Sequence, residues 1–154
     1  MNYREIQVIN QNPFIGGKLI AHFLSGCENN SIDYLAVYLL FPLLYKSESR
    51  IVLSKANKNS TLDTIFLSKD KSMLAGLEKR FYYFEKLTKH SIIVSSVHFG
   101  VTVSNQLAVK EPIIYSKEKN VSLKEFYRAS FQLGQILSKT DIGISFIKLG
   151  IRYV

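Results

Sequence analysis

The sequence predicts an α+β domain that is predominantly α-helical and carries a small β-hairpin, and three stretches support this expectation. Ile32–Tyr45 has a single charge, Asp33, and apolar side chains on every face at 3.6-residue spacing, the pattern of a helix enclosed by others. Lys71–Lys89 alternates charged and apolar residues with helical period, and Gln106–Val109 and Ile113–Ser116 are short apolar runs on either side of Lys110-Glu111-Pro112. With 154 residues, 47% hydrophobic and 21% charged, the chain suits one compact domain spanning 1–154. No repeat, linker or low-complexity tract divides it.

In chain order, residues 1–11 read as a β-like or irregular lead-in whose Ile6, Val8 and Ile9 can dock on the domain. Asn12-Pro13 opens a helix, the first residue as cap and the second at a position where its missing amide costs nothing. Phe14, Ile15, Leu19, Ile20, Phe23 and Leu24 recur at helical spacing, Gly16-Gly17 admits a neighbouring backbone, and Gly26 ends the helix. The central helix follows, capped by Asn30 or Ser31, with Asp33 at the positive end of its dipole and Pro42 bending or stopping it. Ile51-Val52-Leu53 is a short apolar segment. Ser60 or Thr61 caps a short helix 62–67, and Ser68 or Asp70 caps a longer one from Lys71 to Lys89, with Met73, Leu74, Leu77, Phe81, Phe84 and Leu87 turned inward. Ser91–Val103 is ambiguous: its β-branched content favours a strand, although Ile93, Val97 and Val101 repeat at helical spacing. The two runs within 106–116 form the hairpin, tipped by Lys117-Glu118-Lys119-Asn120. Ser122 caps a helix 123–138, and Asp141 caps a last one ending at Gly150.

Twenty Lys and Arg against twelve acids give +8, which favours an anionic partner such as nucleic acid or an acidic protein face. Cys27 is the only cysteine, so an internal disulfide is excluded and a reducing compartment, the cytoplasm, is expected. The N-terminus lacks the basic flank and apolar run of a secretion signal, and Ile32–Tyr45 is shorter than a membrane span of about 20 residues.

The search for chemistry returns no catalytic constellation. His22, His90 and His98 are not spaced with other His, Glu or Cys for a metal, and no cofactor is expected. Cys27 follows His22 without a third residue to orient the pair. Gly16-Gly17-Lys18 lacks the spacing of a phosphate loop, with Leu19 where a hydroxyl is needed. Paired carboxylates are absent. The most suggestive cluster is Lys79-Arg80-Phe81-Tyr82-Tyr83-Phe84-Glu85-Lys86, where Phe81 and Phe84 fall on the core stripe and Arg80, Tyr82, Tyr83 and Lys86 lie on the flanks as partner-binding candidates. If Ser91–Val103 is helical, a helix followed by a basic-tipped hairpin has the layout of a winged helix, with Lys110, Lys117 and Lys119 as nucleic-acid contacts on the wing.

Several landmarks resemble one family across nearly the whole chain. They are Asn12-Pro13, the run Leu39-Leu40-Phe41-Pro42-Leu43-Leu44, Ser60-Thr61-Leu62, Ala129-Ser130-Phe131-Gln132-Leu133-Gly134, and Phe146-Ile147-Lys148-Leu149-Gly150-Ile151-Arg152. In order and spacing they resemble the middle components of three-component ABC systems, bacterial conflict operons that also encode an SMC/Rad50-like ABC ATPase and an effector. The resemblance implies an accessory subunit without chemistry of its own. Such a subunit would bridge the ATPase and the effector, for example a nuclease, in anti-phage or anti-plasmid defence, as a Lamassu-type subunit is thought to do. It also implies a helix around Ser91–Val103, which we adopt. The chain departs from typical members in having Gln135-Ile136 where a tryptophan is expected after Leu133-Gly134. A stand-alone winged-helix DNA-binding protein is the alternative expectation.

Overall fold

The computed structural model describes residues 11–68 and 70–152. The lead-in expected over residues 1–11 therefore lies almost wholly outside the described residues. Helix α1 (Pro13–Gly26) begins as its sequence dictates: Asn12 accepts a hydrogen bond from the Phe14 amide at 2.9 Å, and Pro13 occupies the first turn. Leu19, Ile20, Phe23 and Leu24 are fully buried, and α1 is packed between two later helices of the chain.

Those neighbours come close because glycines and serines line the contacts. A Cβ on Gly16 would meet Ser91 side-chain atoms, and one on Gly17 would stand 2.9 Å from a Val94 methyl and 3.1 Å from the Ser95 amide. On the other side Gly26 lies against the Phe131 carbonyl, and Gly134 against that of Phe23. The expectation that Gly16-Gly17 admits another backbone is met, and Gly26–Gly134 forms a second, reciprocal approach that the sequence does not announce.

Ile32–Tyr45 lies in the core but is not one helix. Ser31–Asp33 forms strand β1, Tyr34–Leu39 a 3-10 helix, and only Leu40–Leu44 is α-helical, as α2. Pairing of β1 with a distant strand removes the first turn. Asp33 then accepts from the Leu35 amide at 2.8 Å and starts the 3-10 segment as its cap. Leu39, Leu40, Phe41, Leu43 and Leu44 are fully buried, so the enclosure read from their hydropathy holds.

Helix α3 (Ser47–Ser54) is held to the later chain by Arg50, which donates to Glu125 at 2.9 Å and lies 4.1 Å from the Phe126 ring centroid. A π-helical turn covers Asp63–Leu67, with Thr61 Oγ1 accepting from the Thr64 amide. The single helix expected over 71–89 is broken. Lys71–Leu74 is a 3-10 turn, Gly76 adopts φ +69°, and α4 (Leu77–Tyr83) is separated by a kink at Phe84 from α5 (Glu85–His98). The inward stripe survives, since Met73, Leu77, Phe81 and Phe84 are buried.

The ambiguous stretch is both things in succession. Helix α5 continues through His98, Gly100 turns the chain at φ +67°, and Val101–Val103 forms β2. The hairpin is thus not the one expected over 106–116. β2 pairs with β3 (Gln106–Val109), Val103 opposite Leu107, and β3 also pairs with β1, giving a three-stranded antiparallel sheet of order β1-β3-β2. Residues 113–116 cannot continue that ladder. Pro112 interrupts it, the Ile113 amide donates to Ser25 Oγ at 2.9 Å, and Tyr115–Lys117 closes into a 3-10 turn.

Helix α6 (Val121–Leu137) is capped by Asn120, two residues before the expected cap, and α7 (Ile142–Leu149) is capped by Asp141 and stopped by Gly150 at φ +77°. A first helix, a strand, further helices and then a hairpin whose second strand lies in mid-sheet make a predominantly helical α+β domain. Among the described residues, no helix is long and apolar enough to cross a membrane.

Candidate functional site

Helices α4 and α5 present the most unusual surface of the domain. Helix α5 buries Thr88, Ser91, Ile92 and Ser95. The serines can face inward because α1 offers glycines there, and Ser95 donates to the Ile92 carbonyl at 2.7 Å. Its apolar residues Ile93 and Val97 are turned outward, 60% and 69% exposed. The inner face thus mixes small hydroxyl residues with Ile92, and the outer face sets two aliphatic side chains among polar ones. Tyr83, 69% exposed, stands edge-on to Phe84 where α4 meets α5, and Phe14 of α1 packs against His98 and Phe99 at the far end. Lys86, Lys89 and His90 are exposed on the same helix, with Lys89 bonded to Glu85 at 2.5 Å.

The kink has a local cause. Thr88 donates its hydroxyl to the Phe84 carbonyl at 2.8 Å, and Phe84, whose ring is held in the core, has ψ near zero. Helical spacing within α4 leaves Tyr82 and Tyr83 off the core stripe, on which Phe81 and Phe84 lie.

Of the four flanking candidates, Tyr82, Tyr83 and Lys86 are exposed, and Arg80 does something the sequence does not reveal. Its guanidinium donates to the carbonyls of Pro42 at 2.9 Å, Ala75 at 2.6 Å and Met73 at 3.2 Å, tying α4 to the end of α2 and to the 71–75 turn. The three lysines expected on a wing are dispersed. Lys110 closes the base of the hairpin, its amide donating to the Gly100 carbonyl at 3.0 Å, and the tip is the uncharged Ser104-Asn105. Lys117 and Lys119 lie in the segment leading into α6, Lys117 facing a separate cleft.

That cleft, about 400 Å³, lies beside α1 and α6 and is lined by Lys18, His22, Tyr127, the 111–114 segment, Lys117 and Glu118. His22 is 1% exposed and stacks on Tyr127 with ring centroids 4.3 Å apart, yet neither ring nitrogen has a hydrogen-bond partner. Burial, and then the Lys18 charge, lowers its pKa to about 4 against the opposing pull of Glu118, so the ring is neutral. A buried polar group left unpaired costs about 1–3 kcal/mol, so the fold carries this imidazole at a loss. The sequence offered no sign of it, because the residues that line the cleft are drawn from positions 18 to 127. Cys27 is buried too. Its thiol donates to the Phe23 carbonyl at 3.3 Å, and burial pushes its pKa up, away from the thiolate a nucleophile requires. No group of three His, Cys, Asp or Glu that could hold a metal occurs among the described residues.

The fold and its surfaces define a small, predominantly helical α+β domain with exposed aliphatic and aromatic side chains on α4 and α5. The model of the family "ABC-three component (ABC-3C) system Middle Component 3" matches residues 3–153, and the chain belongs to that family. It is therefore a middle component of an ABC-three component system. Searches of curated proteins and of solved structures returned no match.

Proposed function

We propose that the protein is a non-enzymatic adaptor that bridges an SMC/Rad50-like ABC ATPase and an effector in a bacterial defence complex, docking through the outer face of α4 and α5. The observation that supports this reading most is the exposure of Tyr83 at the end of α4 and of Ile93 and Val97 on α5, large apolar side chains left uncovered. Exposed tyrosines and aliphatics rimmed by cations are the composition of a protein interface, and Lys86 and Lys89 suit a partner whose rim is acidic. Membership in a multi-component system supplies the partner proteins. The test is co-purification of the tagged chain with the ATPase and effector encoded beside it. Wild type should retain both, and Tyr83→Glu combined with Val97→Glu should reduce capture of at least one by tenfold or more at unchanged Tm. Absence of both partners from the wild-type eluate sinks the reading, as does full retention by the double variant.

The succession of α5 and the β2-β3 hairpin, together with the net charge of +8, favours a second reading, a stand-alone winged-helix DNA-binding protein. Against it, the exposed residues of α5 include no Arg, Asn or Gln, leaving only Lys86 and Lys89 for bidentate contacts to base edges, and the hairpin tip has no cation. Binding of duplex DNA without partners, falling steeply with salt and weakened by reversing Lys117 and Lys119, would move the assignment to that class.

A further inference from the structure

We infer that the cleft between α1, the 111–118 segment and the Tyr127 face of α6 binds a small organic anion, with Lys18 and Lys117 pairing its charge and the His22 ring hydrogen-bonding to it. This is independent of the adaptor reading. The cleft is built rather than incidental. The Ser25 hydroxyl pins the Ile113 amide to α1 at 2.9 Å, and His22 is fixed by its stack on Tyr127. Its volume of about 400 Å³ falls within the range occupied by small-molecule ligands. An apolar residue at position 22 would fill the same helix position without an unpaired nitrogen. Instead the chain places in the wall of a cleft a buried group that needs a partner.

The charges around the ring give the sign of the occupant. Glu118 accepts the Asn120 amide at 2.9 Å and is only loosely paired with Lys18, at 3.9 Å, so much of its charge is met by the loop. The Lys18 ammonium stands 5.0 Å from the Tyr127 ring centroid, which holds it at the cleft. Lys117 forms no ion pair among the described residues, and Glu111 is exposed. Two cations and an unpaired imidazole thus face one carboxylate already engaged and another open to solvent. Pro112, Ile113 and Ile114 supply an apolar wall, which favours an anion with an organic body over a bare ion.

The experiment follows the ring resonances of histidine-labelled protein during titration with AMP and benzoate. Inorganic phosphate, acetate, adenosine and benzamide serve as the bare-anion and neutral comparisons, and His22→Phe assigns the His22 signal. AMP or benzoate should shift His22 saturably and bind at least tenfold tighter than its bare-anion and neutral counterparts. His22→Phe and Lys117→Gln should each weaken that binding tenfold or more. Lys117 is exposed, so its variant keeps the fold intact and separates lost binding from unfolding. Silence of His22 toward both organic anions overturns the inference. So does equal binding of the neutral compounds, or wild-type affinity in both variants.

Discussion

Replacing Gly134 by alanine tests whether α1 is held by backbone-level contact. A Cβ at this position would stand 3.0 Å from the Phe23 carbonyl carbon, closer still to its oxygen, and 3.2 Å from Cys27 Sγ. The neighbouring atoms belong to the backbone of α1, so no rotamer change relieves the contact. Carbon-to-oxygen contacts between helices settle at about 3.3–3.6 Å, so α6 must withdraw by on the order of 1 Å. A gap of that size forfeits up to about half of the dispersion energy of each facing atom pair. Gly26, in the reciprocal contact with the Phe131 carbonyl, loses its fit at the same time. The expected cost is about 3 kcal/mol, the upper end for an overpacked interior. For a chain of this length that lowers Tm by roughly 6–12 °C at 2–4 °C per kcal/mol. Gly143→Ala is the comparison: the site is exposed on α7, and its new Cβ would meet only the Asp141 carboxylate, at 3.1 Å. Its stability should change by no more than about 1 kcal/mol. Differential scanning fluorimetry of both variants decides. If Gly134→Ala costs no more than Gly143→Ala, the helices are not in backbone contact and the packing argument fails.

Two further predictions follow from polar groups held inside the fold. His22 has a folded pKa of about 4 against 6.5 unfolded, so the unfolded chain binds the extra proton first and stability is lost as pH falls from 6.5 toward 4. At about 1.36 kcal/mol per pKa unit the loss is on the order of 3 kcal/mol, and His22→Phe should escape it. The two proteins' urea midpoints should therefore diverge across that window and run parallel above pH 7; parallel curves throughout would show that His22 is not buried neutral. Arg80→Met keeps the stem but removes three hydrogen bonds to carbonyls, and should cost about 2–4 kcal/mol in urea unfolding. A loss below about 0.5 kcal/mol, the usual range of a surface substitution, would place the guanidinium in solvent.

The features that could be read from the chain are those decided within a turn of helix. Asn12-Pro13, Asp141 and Gly150 act through amides three residues away or less, and the buried faces of α1 and α6 follow from spacing alone. Where expectation and structure part, a distant segment had the deciding part. Ser31–Asp33 becomes a strand because Gln106–Ala108 pairs with it, and the Asn105 carbonyl accepts the Tyr34 amide at 3.1 Å. Val101–Val103 becomes a strand because Gly100 ends α5 one residue earlier and leaves the hairpin's first arm free to pair. The fate of Arg80 depended on carbonyls of Pro42, Met73 and Ala75, which no local pattern brings together. The cleft at His22 is the extreme case: its lining residues are individually unremarkable, and only the tertiary fold assembles them.

The glycines of α1 explain why the two candidate surfaces take the form they do. Gly16 and Gly17 let α5 approach closely, with Ser91, Val94 and Ser95 at the contact and Ile92 buried, while Ile93 and Val97 fall on its outer side. The exposed Ile93–Val97 face is thus a consequence of close helix packing as much as a feature laid upon it. On the same helix, Lys18 and His22 line the cleft on the side of Tyr127, whose ring stacks on His22, with the 111–118 segment as the opposite wall. Small residues on one flank of α1 and a ring stack on the other therefore shape both candidate surfaces from a single 14-residue helix.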